Sequence, residues 1–193
     1  MTSSILRIDH VSIAVQDSHK AEYFFRSILG AIPGAAAVDD YTKFSWKILS
    51  LGDMSRLEII SPTSKGSFLD GFMEKQGGGV HHITLQTRDI EETKELLRKN
   101  NIPYFGEHEY AGVLWKELFI HPRHAFGVLI QIAEFHPDNW LNDSVKIPGD
   151  RTWSVQQTGD GVQVELSHPG GGTMKLDLTR EEARRLAQEL MGD

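Results

Sequence analysis

Two histidines, a glutamate and a glutamine recur at matched separations along this chain of 193 residues. His10 precedes Glu58 by 48 positions, and His82 precedes Gln131 by 49. Leu57 and Ile59 flank Glu58, and Ile130 and Ile132 flank Gln131, so strand alternation turns each polar side chain away from its apolar neighbours. A carboxylate in such a place is costly unless it is paired or bound to metal. Two imidazoles, one carboxylate and one amide oxygen form a hard-to-borderline donor set. It suits zinc, cobalt, nickel, manganese or ferrous iron, with coordination positions left open for substrate or water.

The positions match because the elements that carry them are duplicated. Laid over Asp9-His10-Val11-Ser12-Ile13 at an offset of 72, the stretch His81-His82-Ile83-Thr84-Leu85 places His82 on His10, Thr84 on Ser12 and, further on, Asp89 on Asp17. Both stretches alternate with period two, which makes them strands with an apolar face for a helix and a small polar face for a cavity. Asp17 and Asp89 are N-caps of amphipathic helices. The first helix carries Ala21, Phe24, Phe25, Ile28 and Leu29 toward the sheet and ends at Gly30, and the second carries Ile90, Leu96 and Leu97. Strands follow at residues 43–51 and 56–60, joined by a Gly52-Asp53 turn, and again at 113–120 and 126–134. Trp115-Lys116 echoes Trp46-Lys47. Between the units lies a short helical pattern at residues 63–79, closed by Gly77-Gly78-Gly79. This triple glycine has no Lys-Ser/Thr after it and is a linker rather than a phosphate loop.

Beyond residue 136 the repetition stops. Residues 137–150 have linker composition. Residues 151–193 then give a hairpin about Gly159-Asp160-Gly161, a turn at 168–172, a further strand, and a helix capped by Thr179 and Glu182. This tail carries no evident chemistry and is too small to bury a convincing core alone.

Composition narrows the function further. A net charge of -7 without basic blocks argues against nucleic acid and against an anionic membrane surface as partners. No cysteine is present, so thiolate metal sites, disulfides and cysteine nucleophiles are excluded. There is no apolar run of the roughly 18 residues a span needs and no signal pattern, and the expected location is the cytoplasm. His81 should point away from His82 by alternation and is read as structural. Glu107-His108-Glu109 and His121-x-x-His124 are read as solvated loops and turns. Lys47 and Lys116 are read as solvated strand lysines, and Trp46 and Trp115 as either core or cavity wall.

The combination of Asp-His-Val-Ser-Ile-Ala-Val-x-Asp, Glu-Ile-Ile-Ser-Pro, Gly-Val-His-His-Ile-Thr-Leu and Gly127-Val128-Leu129-Ile130-Gln131 resembles the vicinal oxygen chelate superfamily. Within it, the methylmalonyl-CoA epimerase branch is the most similar, over about residues 5–135. The resemblance implies an α+β fold in which two tandem βαβββ modules, about 5–62 and 80–136, form a cupped mixed sheet around a metal; the C-terminal strand and helix appendage is not part of it. It also implies a homodimer, an acyl-CoA-like small-molecule substrate, and metal ligands at His10, Glu58, His82 and Gln131. In that branch the quartet runs His, Gln, His, Glu, so amide and carboxylate are exchanged between modules here. The branch also places a proton-transfer glutamate before the second strand of module one, where this chain has Asp40, Tyr41 and Thr42. Glu58 is then the expected base or base-ligand, Asp40 or Tyr41 a substitute for the missing acid, and Glu117 the acid–base group of a mirrored arrangement. The reaction expected is metal-dependent epimerisation by α-proton abstraction beside a carbonyl. A glyoxalase-like lyase and a metal-free binding or resistance protein of the same fold are the competing readings. An extradiol dioxygenase fits less well, because Gln131 stands where its iron would want an acid.

Overall fold

The structure is a computed structural model, and it describes residues 4–52, 55–110, 115–140, 152–167 and 173–192. Among these, the first unit runs β1 (Ile5–Ala14), α1 (Ser18–Glu22, continued as π-helix over Tyr23–Ile28), β2 (Ile32–Asp39), β3 (Phe44–Ser50) and β4 (Arg56–Pro62). A short α2 (Asp70–Gln76) leads to the second unit: β5 (Gly79–Thr87), α3 (Ile90–Lys99), β6 (Phe105–Tyr110), β7 (Trp115–Ile120) and β8 (Leu129–Glu134). All eight strands join one curled sheet, a half-barrel, in the order β2-β3-β4-β1-β5-β8-β7-β6. β1 and β5 run antiparallel at its centre, each parallel to the last strand of its own unit. Read outward from the middle, the two halves have the same order.

Each helix covers the convex face of its own half. Asp17 accepts a hydrogen bond from Lys20 N, and Asp89 accepts from Glu91 N and Glu92 N, so both predicted caps close their helices. Under α1, Ala21 and Phe25 meet Ala31, Leu49 and Ile59. Under α3, Ile90 and Leu97 meet Leu118, Ile120 and Ile132. A third cluster of Ala14, Ile60 and Leu69, with Trp46, Phe72 and Met73 beside it, ties α2 to the sheet.

The apolar stripe of the first helix is narrower than expected. Phe24, Ile28 and Leu29 are 47%, 60% and 59% exposed, because the chain widens into a π-helix at Tyr23 and the wider turn rotates these residues off the sheet. In α3, Leu97 is buried and Leu96 is not. The residue pattern gives β2 and β6 no range, although the βαβββ modules that the resemblance implies contain both. Both are edge strands paired along one side only, and neither Gly34-Ala35-Ala36-Ala37 nor Glu107-His108-Glu109 alternates in polarity. The last strand of unit two begins at Leu129 rather than 126, since the 3₁₀ helix Pro122–His124 is followed by a turn over residues 125–127 that places Phe126 at φ 55. Within the linker between units, Gly78 has φ +121, and a Cβ there would lie 2.8 Å from Ala14 O.

The tail forms a separate antiparallel sheet of β9 (Trp153–Gln157), β10 (Gly161–Ser167) and β11 (Thr173–Thr179), with α4 (Arg180–Met191) returning against β10 and β11. Thr179 and Glu182 close the predicted capping box. Pro137–Trp140 is a 3₁₀ turn. Asp53, the first residues of the predicted 113–120 strand, residues 141–150 and the 168–172 turn lie outside the described residues. No helix among the described residues is long and apolar enough to cross a membrane.

Candidate active site

The central β1–β5 ladder is not regular, and two of its three register shifts fall on the chemistry. Ile8 pairs with Leu85 and His10 with Thr84, so β1 carries one extra residue, Asp9. Ser12 pairs with His82 and Ile13 with Val80, so β5 carries one extra residue, His81. A bulge breaks alternation and re-aims side chains. The expectation that His81 points away from His82 is therefore corrected: both rings lie on the concave side, with Nδ1 to Nδ1 at 2.9 Å, and His81 packs edge-on against Phe72.

From β1, β4 and β5, the structure brings together His10, Glu58 and His82, with one ligand atom from each lying within 4.8 Å of the others. Glu58 Oε2 is 3.7 Å from His10 Nε2 and 3.5 Å from His82 Nε2. Gln131 on β8 joins through Thr84, whose hydroxyl lies 2.8 Å from His10 Nε2 and donates to Gln131 Oε1. His82 Nε2 is buried without a hydrogen-bond partner among the described residues. With His10 donating from Nδ1 to Asp9, its Nε2 and Gln131 Oε1 are two acceptors facing the single proton of Thr84. An orphaned imidazole lone pair and a surplus acceptor beside a carboxylate are what a divalent cation would satisfy, so the residues fit one. Burial, with His10 and His81 nearby, holds the His82 imidazole well below its ordinary value and keeps it neutral, the form that ligates.

Asp9 is fully buried. Its carboxylate accepts a hydrogen bond from His10 Nδ1 at 2.7 Å and is paired with Arg7 and Arg56. Burial alone would raise the Asp9 pKa, but the His10 hydrogen bond and the charges of Arg56, His10 and Arg7 outweigh it and hold the carboxyl at about 2. Sequence reasoning passed over this residue, although its place directly before His10 was visible.

The remaining predicted acids divide. Glu117 on β7 reaches into the cavity, accepting from Gln131 Nε2 at 2.7 Å and from Trp115 Nε1 at 2.7 Å. Burial pushes its pKa up despite those two bonds. Asp40 is exposed in the turn after β2 and lies at the cavity rim, while Tyr41 is 93% exposed. Tyr110 also lines the cavity, its phenol pushed up to about 12 by burial and by Glu117 and Asp39. Lys47 pairs with Glu22 and Lys116 with Glu134, so neither is a free cation.

The ladder also corrects the apparent echo of Trp46 in Trp115. Ile48 pairs with Glu58 and Trp46 with Ile60, whereas Phe119 pairs with Gln131 and Glu117 with Ala133. Glu117 is thus the counterpart of Trp46, two residues beyond the match that composition suggested. The concave face encloses a cavity of ≈ 580 Å³ with the histidines and both glutamates in its wall. Trp46 and Trp115 both line it. Trp140, from the turn after β8, joins them with ring centroids 5.8 Å from Trp46 and 5.3 Å from Trp115. Its only sequence signal was an aromatic residue in a segment of linker composition.

The profile of the glyoxalase/bleomycin resistance protein/dioxygenase superfamily matches residues 9–119, more than half the chain. The chain belongs to this superfamily. Human mitochondrial methylmalonyl-CoA epimerase is 32% identical over 130 residues, covering 66% of this chain and 73% of the relative. The crystal structure of methylmalonyl-CoA epimerase from Mycobacterium tuberculosis superposes with a TM-score of 0.64 at 27% identity, covering 72% of this chain and 93% of that one. A variant of the Streptomyces coelicolor methylmalonyl-CoA epimerase, in complex with 2-nitronate-propionyl-CoA, superposes with a TM-score of 0.60 at 25% identity over 68% of this chain and 96% of its own. The two-module cupped sheet expected from the sequence is the fold these structures share.

Proposed function

We propose that this protein is an acyl-CoA epimerase that inverts a carbon next to a thioester carbonyl, with a methylmalonyl-CoA-like compound as substrate. One observation carries the reading beyond the family. Two carboxyl groups, Glu58 on β4 and Glu117 on β7, enter one cavity from opposite sides of the paired histidines. Inversion needs a base on one face of the α-carbon and an acid on the other. Glu58 suits the base, lying between two imidazoles. Glu117 suits the acid, since burial favours its protonated form. Glu58 takes the α-proton, the electron pair delocalises into the thioester carbonyl, and Glu117 returns a proton to the opposite face. In the reverse direction the two groups exchange roles.

His10, Glu58, His82 and Gln131 would hold a divalent cation, and its identity follows from the donors only as far as zinc, cobalt, nickel, manganese or ferrous iron. Such an ion would supply a Lewis acid for the carbonyl oxygen. The residues themselves orient the substrate and exclude water: Trp46, Trp115 and Trp140 form an aromatic wall that keeps the reacting carbon in a region of low dielectric. Tyr110, protonated throughout the physiological range, is a neutral donor in the cavity wall.

Proton NMR of methylmalonyl-CoA in deuterium oxide tests the proposal, run with metal-loaded protein and with a chelated sample. Loss of the α-proton signal that stops on chelation is the expected result. A signal that decays at the same slow rate with and without protein, while metal is bound, would move the function to another substrate or to lyase chemistry.

A further inference from the structure

Two of the three register shifts in the central ladder, those at Ile8/His10 and at Ser12/Ile13, are equivalent. Asp9 and His81 are 72 residues apart, the same offset that relates His10 to His82, and each is the inserted residue immediately before its histidine. In both places the bulge turns the inserted side chain toward the concave side, where it meets Nδ1 of the following imidazole. Asp9 Oδ2 lies 2.7 Å from His10 Nδ1, and His81 Nδ1 lies 2.9 Å from His82 Nδ1. In each ring the other nitrogen, Nε2, faces Glu58.

We infer that Asp9 and His81 are a matched pair of positioning residues that fix both metal-binding imidazoles in the tautomer presenting Nε2. The inference rests on the metal reading of the site and goes beyond it, since neither residue is a ligand. An imidazole can offer Nε2 to a cation only if Nδ1 keeps its proton, and that proton needs an acceptor. Asp9 accepts with a carboxylate anchored by Arg7 and Arg56. His81 accepts with its own Nδ1 lone pair, which requires its proton on Nε2, and its ring is held edge-on by Phe68 and Phe72. The strand supplies neither contact without the extra residue, because regular alternation would send both side chains to the convex face. The pair is unequal: a charged acceptor makes the stronger bond, so His10 is the more firmly fixed ligand.

Cobalt(II) titration by calorimetry and visible absorption tests this on the full chain, with nitrogen-15 shifts of the imidazoles read before metal is added. For His81→Leu the expectation is a roughly 10-fold or greater loss of cobalt affinity, within the range typical of an outer-shell partner, and a His82 ring no longer confined to the Nδ1-protonated form. Asn at position 81 offers an oxygen near the lost Nδ1, so His81→Asn should retain affinity within about 3-fold of wild type, well short of a full outer-shell loss. Asp9→Asn should cost more than His81→Leu. It also strips a carboxylate from two arginines, so the His81 variants decide the matter if it fails to fold. Wild-type cobalt affinity and an unchanged His82 tautomer in folded His81→Leu would overturn the inference, as would equal losses in His81→Leu and His81→Asn. Wild-type protein that takes up no cobalt would overturn the metal reading and this inference together. Binding is read without turnover, so a failed α-proton exchange assay would count against the epimerase reading alone.

Discussion

In the first half of the sheet, Glu58 stands opposite Ile48, with Trp46 two residues along β3. In the second half, Gln131 stands opposite Phe119, with Glu117 two residues along β7. The backbones repeat and the side chains differ: where the half with Glu58 places the indole of Trp46, the half with Gln131 places the half-buried carboxyl of Glu117. Duplication preserves the ladder, because strand pairing depends on backbone groups and on the polarity of each face. It leaves free which polar group occupies each concave position. One cavity between two such halves can therefore keep its chemistry while moving each part across the pseudo-two-fold axis.

The sharpest way to break this comparison is Glu58→Gln, which leaves amides in both halves. Exchange of the substrate α-proton should fall by about 10³–10⁴-fold, and metal retention should fall with it. Glu117→Gln should lower kcat by about 10²–10³-fold while cobalt binding stays near wild type, because Glu117 accepts from Gln131 rather than entering the ligand set. Wild-type turnover in that variant would end the mirrored assignment. The exchanged protein Glu58→Gln/Gln131→Glu moves the carboxylate to the other half. Its metal affinity should recover to within about 10-fold of wild type, since the donor types are unchanged. A further collapse would show that the two halves are not interchangeable.

Asp40→Asn should change kcat by less than about 3-fold, far below the loss expected for a general acid or base, because Asp40 is exposed at the cavity rim. A loss as large as that of Glu117→Gln would restore the acid to the first half. The smallest effect is on stability. Burial raises the Glu117 pKa above its ordinary 4.5, so the folded chain binds this proton more tightly than the unfolded one. Its contribution is present below about pH 4.5 and is lost as pH rises through the raised folded value. Urea unfolding of Glu117→Gln should show a flatter decline over that window than wild type, and identical slopes would count against a buried, elevated Glu117.

Much of this molecule was legible before any coordinates. The period-two runs around His10 and His82, the Asp17 and Asp89 caps, and the near-equal spacings to Glu58 and Gln131 are local signals, and each depends on a neighbour one to three residues away or on self-similarity. The edge strands β2 and β6, implied by the βαβββ resemblance, could not be placed from the residue pattern, because half of their pairing groups face no partner and their side chains need not alternate. Nor was the π-helical turn at Tyr23, where apolar residues in a helical pattern leave the sheet. The duplicated scaffold and the polar residues on its concave face follow from the residue pattern alone, since alternation and capping act at short range. Which side chains converge depends on the folded chain. Two bulges put Asp9 and His81 behind the histidines, the ladder register set Glu117 in the place of Trp46, and the returning turn after β8 added Trp140. Each depends on pairing between segments distant in the chain, which no window of the sequence contains.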